Sequence, residues 1–345
     1  MATVFEAATR AGDRICELPG TNRRYNFYLD DPGSAEITVP LDRFQRYEVD
    51  PGACELHVRR DGELVWTGPI WGARASTRDN SLYLTAAGLP SYFEGQRIRS
   101  TLSYTATDQA TIWRALLQID AANWNLTVPV PATTGVARSY RGEDAYHAYK
   151  RLDIAQTVDQ LASLPDGFDW DITPDRIARL YYPRQGVFSD HVLELGRNLD
   201  HVEVEVNART IETVVDALGS GEGTAMPIRT VEAPLEILRY GRRHGVLSAK
   251  DVTNRSILAQ RASTRLAIRA RASEVPRLVM LPGKEPTFGQ VGLGDTVEVR
   301  ASYGWLSLMG AYRLVGIEVT VENSGAESIA YLPADPVDVA ASEVT

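Results

Sequence analysis

The chain opens on alternation. In Ala35-Glu-Ile-Thr-Val-Pro, polar and apolar side chains change places at nearly every residue, the period of two that a half-buried strand requires. Cys54-Glu-Leu-His-Val-Arg-Arg and Glu63-Leu-Val-Trp-Thr-Gly flank Asp61-Gly62, a dipeptide suited to the positive φ of a tight hairpin turn. Ser81-Leu-Tyr-Leu-Thr-Ala-Ala, after the turn Arg78-Asp79-Asn80, adds another strand. Short strands broken by a turn every ten residues or so predict a small sandwich or barrel at the start of the chain.

The period lengthens after Ser100. Thr107 or Asp108 caps a predicted helix whose Ile112, Leu116 and Ile119 fall at i, i+4 and i+7. A looser Pro/Thr-rich stretch, 128–134, follows. A second helix is predicted from Asp153, with Ile154, Val158, Leu161 and Ala162 on one face, ending at Leu164-Pro-Asp-Gly167. Phe168-Asp-Trp-Asp-Ile, the turn 173–176 and Ile177-Ala-Arg-Leu-Tyr-Tyr then form a hairpin. The middle of the chain is therefore α+β.

Strands return from His191. His201-Val-Glu-Val-Glu-Val alternates, and Arg209-Thr-Ile-Glu-Thr-Val-Val reads as its antiparallel neighbour. Gly219-Ser-Gly-Glu-Gly is a flexible connection. A helix is expected over Asp251–Arg271, with Ile257, Leu258, Ala262, Leu266 and Ile268 as its apolar stripe and arginines on the other face. Strands at 295–300, 312–321 and 327–332 close the pattern.

At 345 residues the chain is long enough for two or three domains with sizeable cores. Its two cysteines, Cys16 and Cys54, cannot build a disulfide framework or a cysteine zinc site. A net charge of −9 argues against tight nucleic-acid binding, which normally shows as a basic stripe. Charges at Glu6, Arg10, Asp13 and Arg14 interrupt any signal-peptide core, and Pro129 and Pro131 break the longest uncharged run, so a soluble protein made in the cytoplasm is expected.

Candidate chemistry is sparse. The five histidines have no metal-ligand spacing, no G-x-S-x-G elbow occurs, and Gly219-Ser-Gly-Glu-Gly-Thr lacks the lysine of a phosphate loop. No catalytic residue, cofactor or metal is assigned. Asp169 and Asp171 could present two carboxylates on one strand face, the pairing that glycoside chemistry uses. Trp66, Trp71 and Trp124 are the candidate sugar platforms of a binding module, although Trp66 and Trp71 read better as core. Arg239-Tyr-Gly-Arg-Arg-His244 is the strongest basic run, and Arg242 and Arg243 read as interface charges. In Ala301-Ser-Tyr-Gly-Trp-Leu-Ser-Leu-Met-Gly310, the residues Tyr303, Trp305, Leu306 and Met309 are too apolar for a free hairpin tip. They either fold into a core or press against a partner protein.

The succession of these segments resembles the tail hub (baseplate hub or minor tail) proteins of long non-contractile-tailed bacteriophages. The features that carry the resemblance are the Arg59-Arg-Asp-Gly…Val65-Trp-Thr-Gly68 hairpin, the middle helix with Phe168-Asp-Trp-Asp-Ile, and Tyr240-Gly241. Val291-Gly-Leu-Gly-Asp295-Thr-Val…Tyr312-Arg-Leu-Val-Gly-Ile-Glu completes the set. The resemblance implies an α+β, mainly β chain with two tail-tube-like β-barrels, an intervening α+β domain and a small helical insert in the second barrel. The corresponding boundaries are 1–96 for the first barrel, 97–189 for the α+β domain, and 190–239 with 285–338 for the second barrel. The helical insert is 240–284, and 339–345 is a C-terminal tail. It further implies a structural, non-enzymatic homotrimer at the virion tail tip that adapts a sixfold tube to threefold parts, since a barrel carried twice per chain turns three copies into six. The implied partners are the distal tail ring, fibre or spike proteins and the tape measure protein, with viral DNA passing through without tight binding. Carboxylates that repel phosphates suit such a channel, and Glu203, Glu205 and Glu212 are the expected lining. The competing reading is a tail-associated carbohydrate-active enzyme or carbohydrate-binding protein acting at the host surface.

Overall fold

The structure is a computed structural model that describes residues 2–29, 31–250, 252 and 254–336. The expected tail at 339–345 and the expected helix start at Asp251 lie outside the described residues. The chain divides into two compact units, one of Met1–Val202 with Arg277–Thr345, the other of Glu203–Pro276.

Alternation becomes strands wherever one face is covered. Ser34–Pro40 and Ser81–Ala87 pair antiparallel with Ile37 opposite Leu84, both with no exposed surface, while the residues between them stay half-buried. Asp61 and Gly62 both take positive φ (51° and 92°), the geometry of the tight turn that joins Cys54–Arg60 to Glu63–Ser76. The opening strands stand in the order Arg14–Glu17, Thr3–Thr9, Cys54–Arg60, Glu63–Ser76, Ser81–Ala87, Ser34–Pro40, Thr21–Tyr28.

The sheet then continues directly into the closing strands. Thr21–Tyr28 pairs antiparallel with the far half of Leu306–Val321, from Tyr28 opposite Gly316 to Arg23 opposite Val321. The near half of Leu306–Val321 pairs instead with Thr296–Tyr303, and its other edge pairs with Glu327–Pro336. Phe188–Glu194 lies parallel to Thr296–Tyr303. The handover falls at Gly316, where a Cβ would stand 2.7 Å from the Tyr28 ring, so only glycine lets the two strands approach there. Thirteen described strands thus form one connected sheet, and the fold is mainly β, as expected.

The middle segment carries its own core. Helix α1 (Gln109–Gln118) starts at Asp108, whose side chain accepts from the Ala110 amide. Helix α2 (Ile154–Ala162) starts at Asp153, whose side chain accepts from the Gln156 amide. Ile112, Trp113, Leu116 and Val158 are fully buried between them, each contributing about 1.5–3 kcal/mol by leaving water. The hairpin of Asp169–Ile172 and Ala178–Tyr181 closes the side of this core. Leu89, Tyr92 and Phe93 also belong to it, so the core begins before residue 97.

The second unit departs from the sequence-based expectation. Its centre is a three-stranded sheet, with Val214–Leu218 between antiparallel Ile228–Glu232 and parallel His244–Ser248. Arg209–Val215 is therefore not the antiparallel neighbour of His201–Val206, and the compact unit is a 203–276 α/β module rather than a helical segment over 240–284. A short helix α3 (Pro234–Tyr240) links two of these strands, and α4 (Arg255–Arg269) covers one face of the sheet. The α4 stripe is Leu258, Ala262 and Leu266 at a strict spacing of four. Ile257 and Ile268, one residue before and two after that stripe, are exposed.

Candidate functional site

The aromatic segment forms a hairpin tip. Thr296–Tyr303 and Leu306–Val321 run antiparallel to the last pair, Tyr303 opposite Leu306, and turn through Gly304 and Trp305. The core stripe of this hairpin, Val297, Val299, Ala301 and Leu308, is buried. Tyr303 continues the same face beyond the point where the core ends, and both it and Trp305 are 81% exposed. Met309, opposite Arg300 on the other face, is also exposed, while Leu306 is half-buried. The tip therefore extends outward, with apolar side chains on both faces, and does not fold back into the core. Such a knob is costly to leave in water.

The expected interface arginines are held within the second unit. Arg242 grips the Glu232 carboxylate with two hydrogen bonds, at 2.7 and 3.1 Å, and this guanidinium holds the Glu232 carboxyl below its ordinary range. Arg243 donates to the backbone carbonyls of Ile211 and Arg209 at 3.3 and 3.2 Å. It braces the loop before Val214–Leu218, which removes it from the set of free interface charges.

The three expected channel carboxylates are not brought together as a set. Glu203 and Glu205 are exposed on Leu199–Asn207, alternating with half-buried Val202 and Val204. Glu212 lies in the loop before Val214–Leu218, bound through both oxygens to Arg265 of α4 at 2.5 and 2.6 Å. That guanidinium holds the Glu212 carboxyl below its usual range. A carboxylate neutralised in this way ties α4 to its sheet and does not repel phosphates.

The carboxylates offered for glycoside chemistry have separate tasks. Asp169 is buried and accepts from the Gln185 amide at 2.7 Å and from the Arg313 guanidinium. Asp171 accepts from the Tyr181 hydroxyl at 3.3 Å, and burial pushes its carboxyl up to about 6. One is fixed as a counter-ion and the other is poised between charge states.

Among the tryptophans, Trp66 is core, donating to the Asn26 carbonyl at 3.1 Å. Trp71 is not core. It is about half exposed, edge-on to Tyr92 and donating to the Ser91 hydroxyl at 2.9 Å, because the buried run of Glu63–Ser76 ends at Ile70. One face of Trp124 is stacked on Tyr92 at 4.5 Å, so that face is closed to a sugar.

A buried polar cluster was not visible in the sequence. Glu55, with no exposed surface, accepts from the Tyr92 hydroxyl at 2.6 Å and from the Arg176 guanidinium, and lies 3.1 Å from His57. The only signal available was that Glu55 and His57 share one strand face, which alternation assigns to solvent. With Arg313 on Asp169, the middle hairpin is thus keyed to strands of both the opening and the closing sets.

Sequence comparison with family models and with curated proteins gives no match. Comparison with solved structures does. The 43 kDa tail protein of prophage MuSo2 from Shewanella oneidensis aligns over 96% of this chain and 97% of its own, at 12% identity and a TM-score of 0.66. A tail protein from Neisseria meningitidis MC58 aligns over 97% of each chain, at 14% identity and a TM-score of 0.61. Prophage tail protein gp18 from Listeria monocytogenes EGD-e aligns over 99% of this chain and 97% of its own, at 12% identity and a TM-score of 0.54. At such identities the likeness is one of architecture, and along nearly its whole length this chain has the fold of bacteriophage tail proteins.

Proposed function

We propose that the chain is a structural component of a bacteriophage-type tail. In this reading it is a hub whose three copies form a ring joining a sixfold tube to threefold tip proteins and enclosing the path of the DNA. The observation that carries the reading is the end-to-end likeness of fold to prophage tail proteins, which leaves no segment of the chain over for a separate catalytic domain. The connected sheet supports it too, because the opening and closing strand sets lie side by side within one protomer, as a barrel carried twice would require. On this reading those sets are the two tube-like barrels and the core around α1 and α2 is the intervening domain. Tyr303, Trp305, Leu306 and Met309 then meet a neighbouring subunit, with Arg242 as a rim charge. Glu203 and Glu205 remain the carboxylates offered to the channel. The distal tail ring, fibre or spike proteins and the tape measure protein are the neighbours this role requires, at the virion tail tip. The carbohydrate-active alternative draws no support from the structural neighbours, which are described as tail proteins.

Light scattering on the purified chain, alone and with neighbouring tail proteins, tests the reading. A particle of three times the chain mass, or a multiple of it, is expected, with a central opening in negative-stain images. A species that stays monomeric with those neighbours present, or assembles in a number not divisible by three, overturns it.

A further inference from the structure

The two strand sets follow one plan. In chain order the opening set is Thr3–Thr9, Thr21–Tyr28, Ser34–Pro40, Cys54–Arg60, Glu63–Ser76 and Ser81–Ala87, leaving aside the short Arg14–Glu17. The closing set is Phe188–Glu194, Leu199–Asn207, Ser273–Met280, Thr296–Tyr303, Leu306–Val321 and Glu327–Pro336. Across the sheet both run second, third, sixth, fifth, fourth, first. Among the pairings described for both sets one differs, the first strand being antiparallel to the fourth in the opening set and parallel to it in the closing set.

The fifth strand is the long one in each set, and one of its edges changes partner halfway. On Leu306–Val321 that edge pairs first with Thr296–Tyr303 and then, from Gly316 to Val321, with Thr21–Tyr28 of the opening set. Ile317, Val319 and Val321 are buried there. On Glu63–Ser76 the corresponding edge pairs with Cys54–Arg60 as far as Pro69 opposite Glu55, and the Gly52 amide donates to the Ile70 carbonyl at 2.7 Å. From Trp71 to Ser76 no described strand follows on that edge. Ala73 and Ala75 lie opposite the buried Leu84 and Leu82, yet both alanines are exposed. The core face of the sheet thus runs out at an edge that carries no proline or lysine to block it. Arg74, on the other face, stacks over the Tyr83 ring at 5.4 Å and pairs with no carboxylate among the described residues. The counterpart of Thr21–Tyr28 is Leu199–Asn207, which stands at the end of the strand order. It presents Val202, Val204 and Val206 on one face and Glu203 and Glu205 on the other.

We propose that the edge Trp71–Ser76 is completed by Leu199–Asn207 of a second copy of this chain, added antiparallel as Thr21–Tyr28 adds to Leu306–Val321. The valines then cover Ala73 and Ala75, as Tyr25 and Phe27 stand opposite Val319 and Ile317 within the chain. Arg74 meets the face that carries Glu203 and Glu205, an opposite-charge cross-strand contact. A slip of one residue would turn the valines to water and the glutamates onto the alanines, so only alternate registers are admitted. The contact joins different strands of the two copies, so it builds a ring rather than a two-fold pair. Three copies then carry six seams of one kind, half of them within chains and half between. The inference rests on the three-copy ring proposed above and names its seam.

Oxidative cross-linking of the full chain, with neighbouring tail proteins present, tests it. Ala73→Cys is combined in turn with Val202→Cys, Val204→Cys and Val206→Cys, and the single variants and wild type serve as blanks for Cys16 and Cys54. At least one double variant should run as covalent dimers and trimers after oxidation, while every single variant stays monomeric on the denaturing gel. In the wild-type protein, hydrogen exchange should slow at least tenfold over both 71–76 and 200–206 when the higher-mass species forms, which answers the question even if a variant misfolds. Ala73→Lys/Ala75→Lys changes only exposed side chains, so it should keep its melting temperature and lose at least nine-tenths of that species. A trimer seen by light scattering in which no double variant cross-links and exchange at the two strands is unchanged overturns the seam and leaves the ring standing. Cross-linking of Ala73→Cys to itself also overturns the seam, because the same edge would then face itself. A chain that stays monomeric with those neighbours present overturns ring and seam together.

Discussion

Arg176, in the turn of the middle hairpin, donates its guanidinium to Glu55, a carboxylate with no exposed surface on the strand Cys54–Arg60. The contact spans two separately cored parts of the first unit, so its loss leaves a buried charge whose remaining neighbours are the Tyr92 hydroxyl and His57. Arg176→Ala is expected to destabilise the protein by about 3 kcal/mol, read as a lower urea midpoint, because an orphaned buried charge costs more than the pair contributed. Glu55→Gln should cost less, since the neutral amide still accepts. Equal losses in the two variants would refute the pairing argument.

Asp171 sets a pH dependence. Its carboxyl is pushed up to about 6 by burial, against an ordinary 3.8, so the folded protein binds that proton more tightly than the unfolded chain. Stability from this group is therefore greatest at low pH and falls between about pH 4 and 6, by about 3 kcal/mol in all. Asp171→Asn should flatten that stretch of the urea-stability profile and leave the variant more stable than wild type at pH 7.

Asp108 is a junction rather than a simple cap. Its side chain accepts from the amides of Ala110, Thr134 and Gly135 at 2.8–2.9 Å, joining the start of α1 to the end of the Pro/Thr-rich stretch. Asp108→Ala should cost about 2 kcal/mol, at the top of the range for a helix cap. Hydrogen exchange should quicken together at the first turn of α1 and at Gly135.

The hairpin tip separates folding from assembly. Tyr303→Ser and Trp305→Ser remove side chains that are 81% exposed, so urea stability should change by no more than about 0.5 kcal/mol. Light scattering should nonetheless show loss of the higher-mass species in the double variant. An assembly that persists unchanged would remove the tip from the interface.

Legibility followed the range of the forces involved. Ser34–Pro40, the Asp61-Gly62 turn, the starts of α1 and α2 and the Asp169–Tyr181 hairpin each rest on residues a few positions apart, and each is readable from sequence. The parallel neighbours Val214–Leu218 and His244–Ser248 leave no turn signal, so alternation alone gives 209–215 the wrong neighbour. Arg243 and Arg265 look like surface charges until the loop and carboxylate they hold are placed beside them. Composition marks 301–310 as too apolar for a free hairpin tip but leaves open whether it folds inward or projects, because alternation does not say where a core stops.

Leu306–Val321 completes an edge begun by Thr21–Tyr28, nearly 300 residues earlier. On a ribosome adding about 5–20 residues per second, that early edge waits tens of seconds for its last neighbour. Until then its unpaired backbone groups offer a template to any passing chain. Synthesis of this protein therefore includes an interval of aggregation risk, and release of nascent chains halted before residue 306 should yield insoluble material while full-length chains stay in solution.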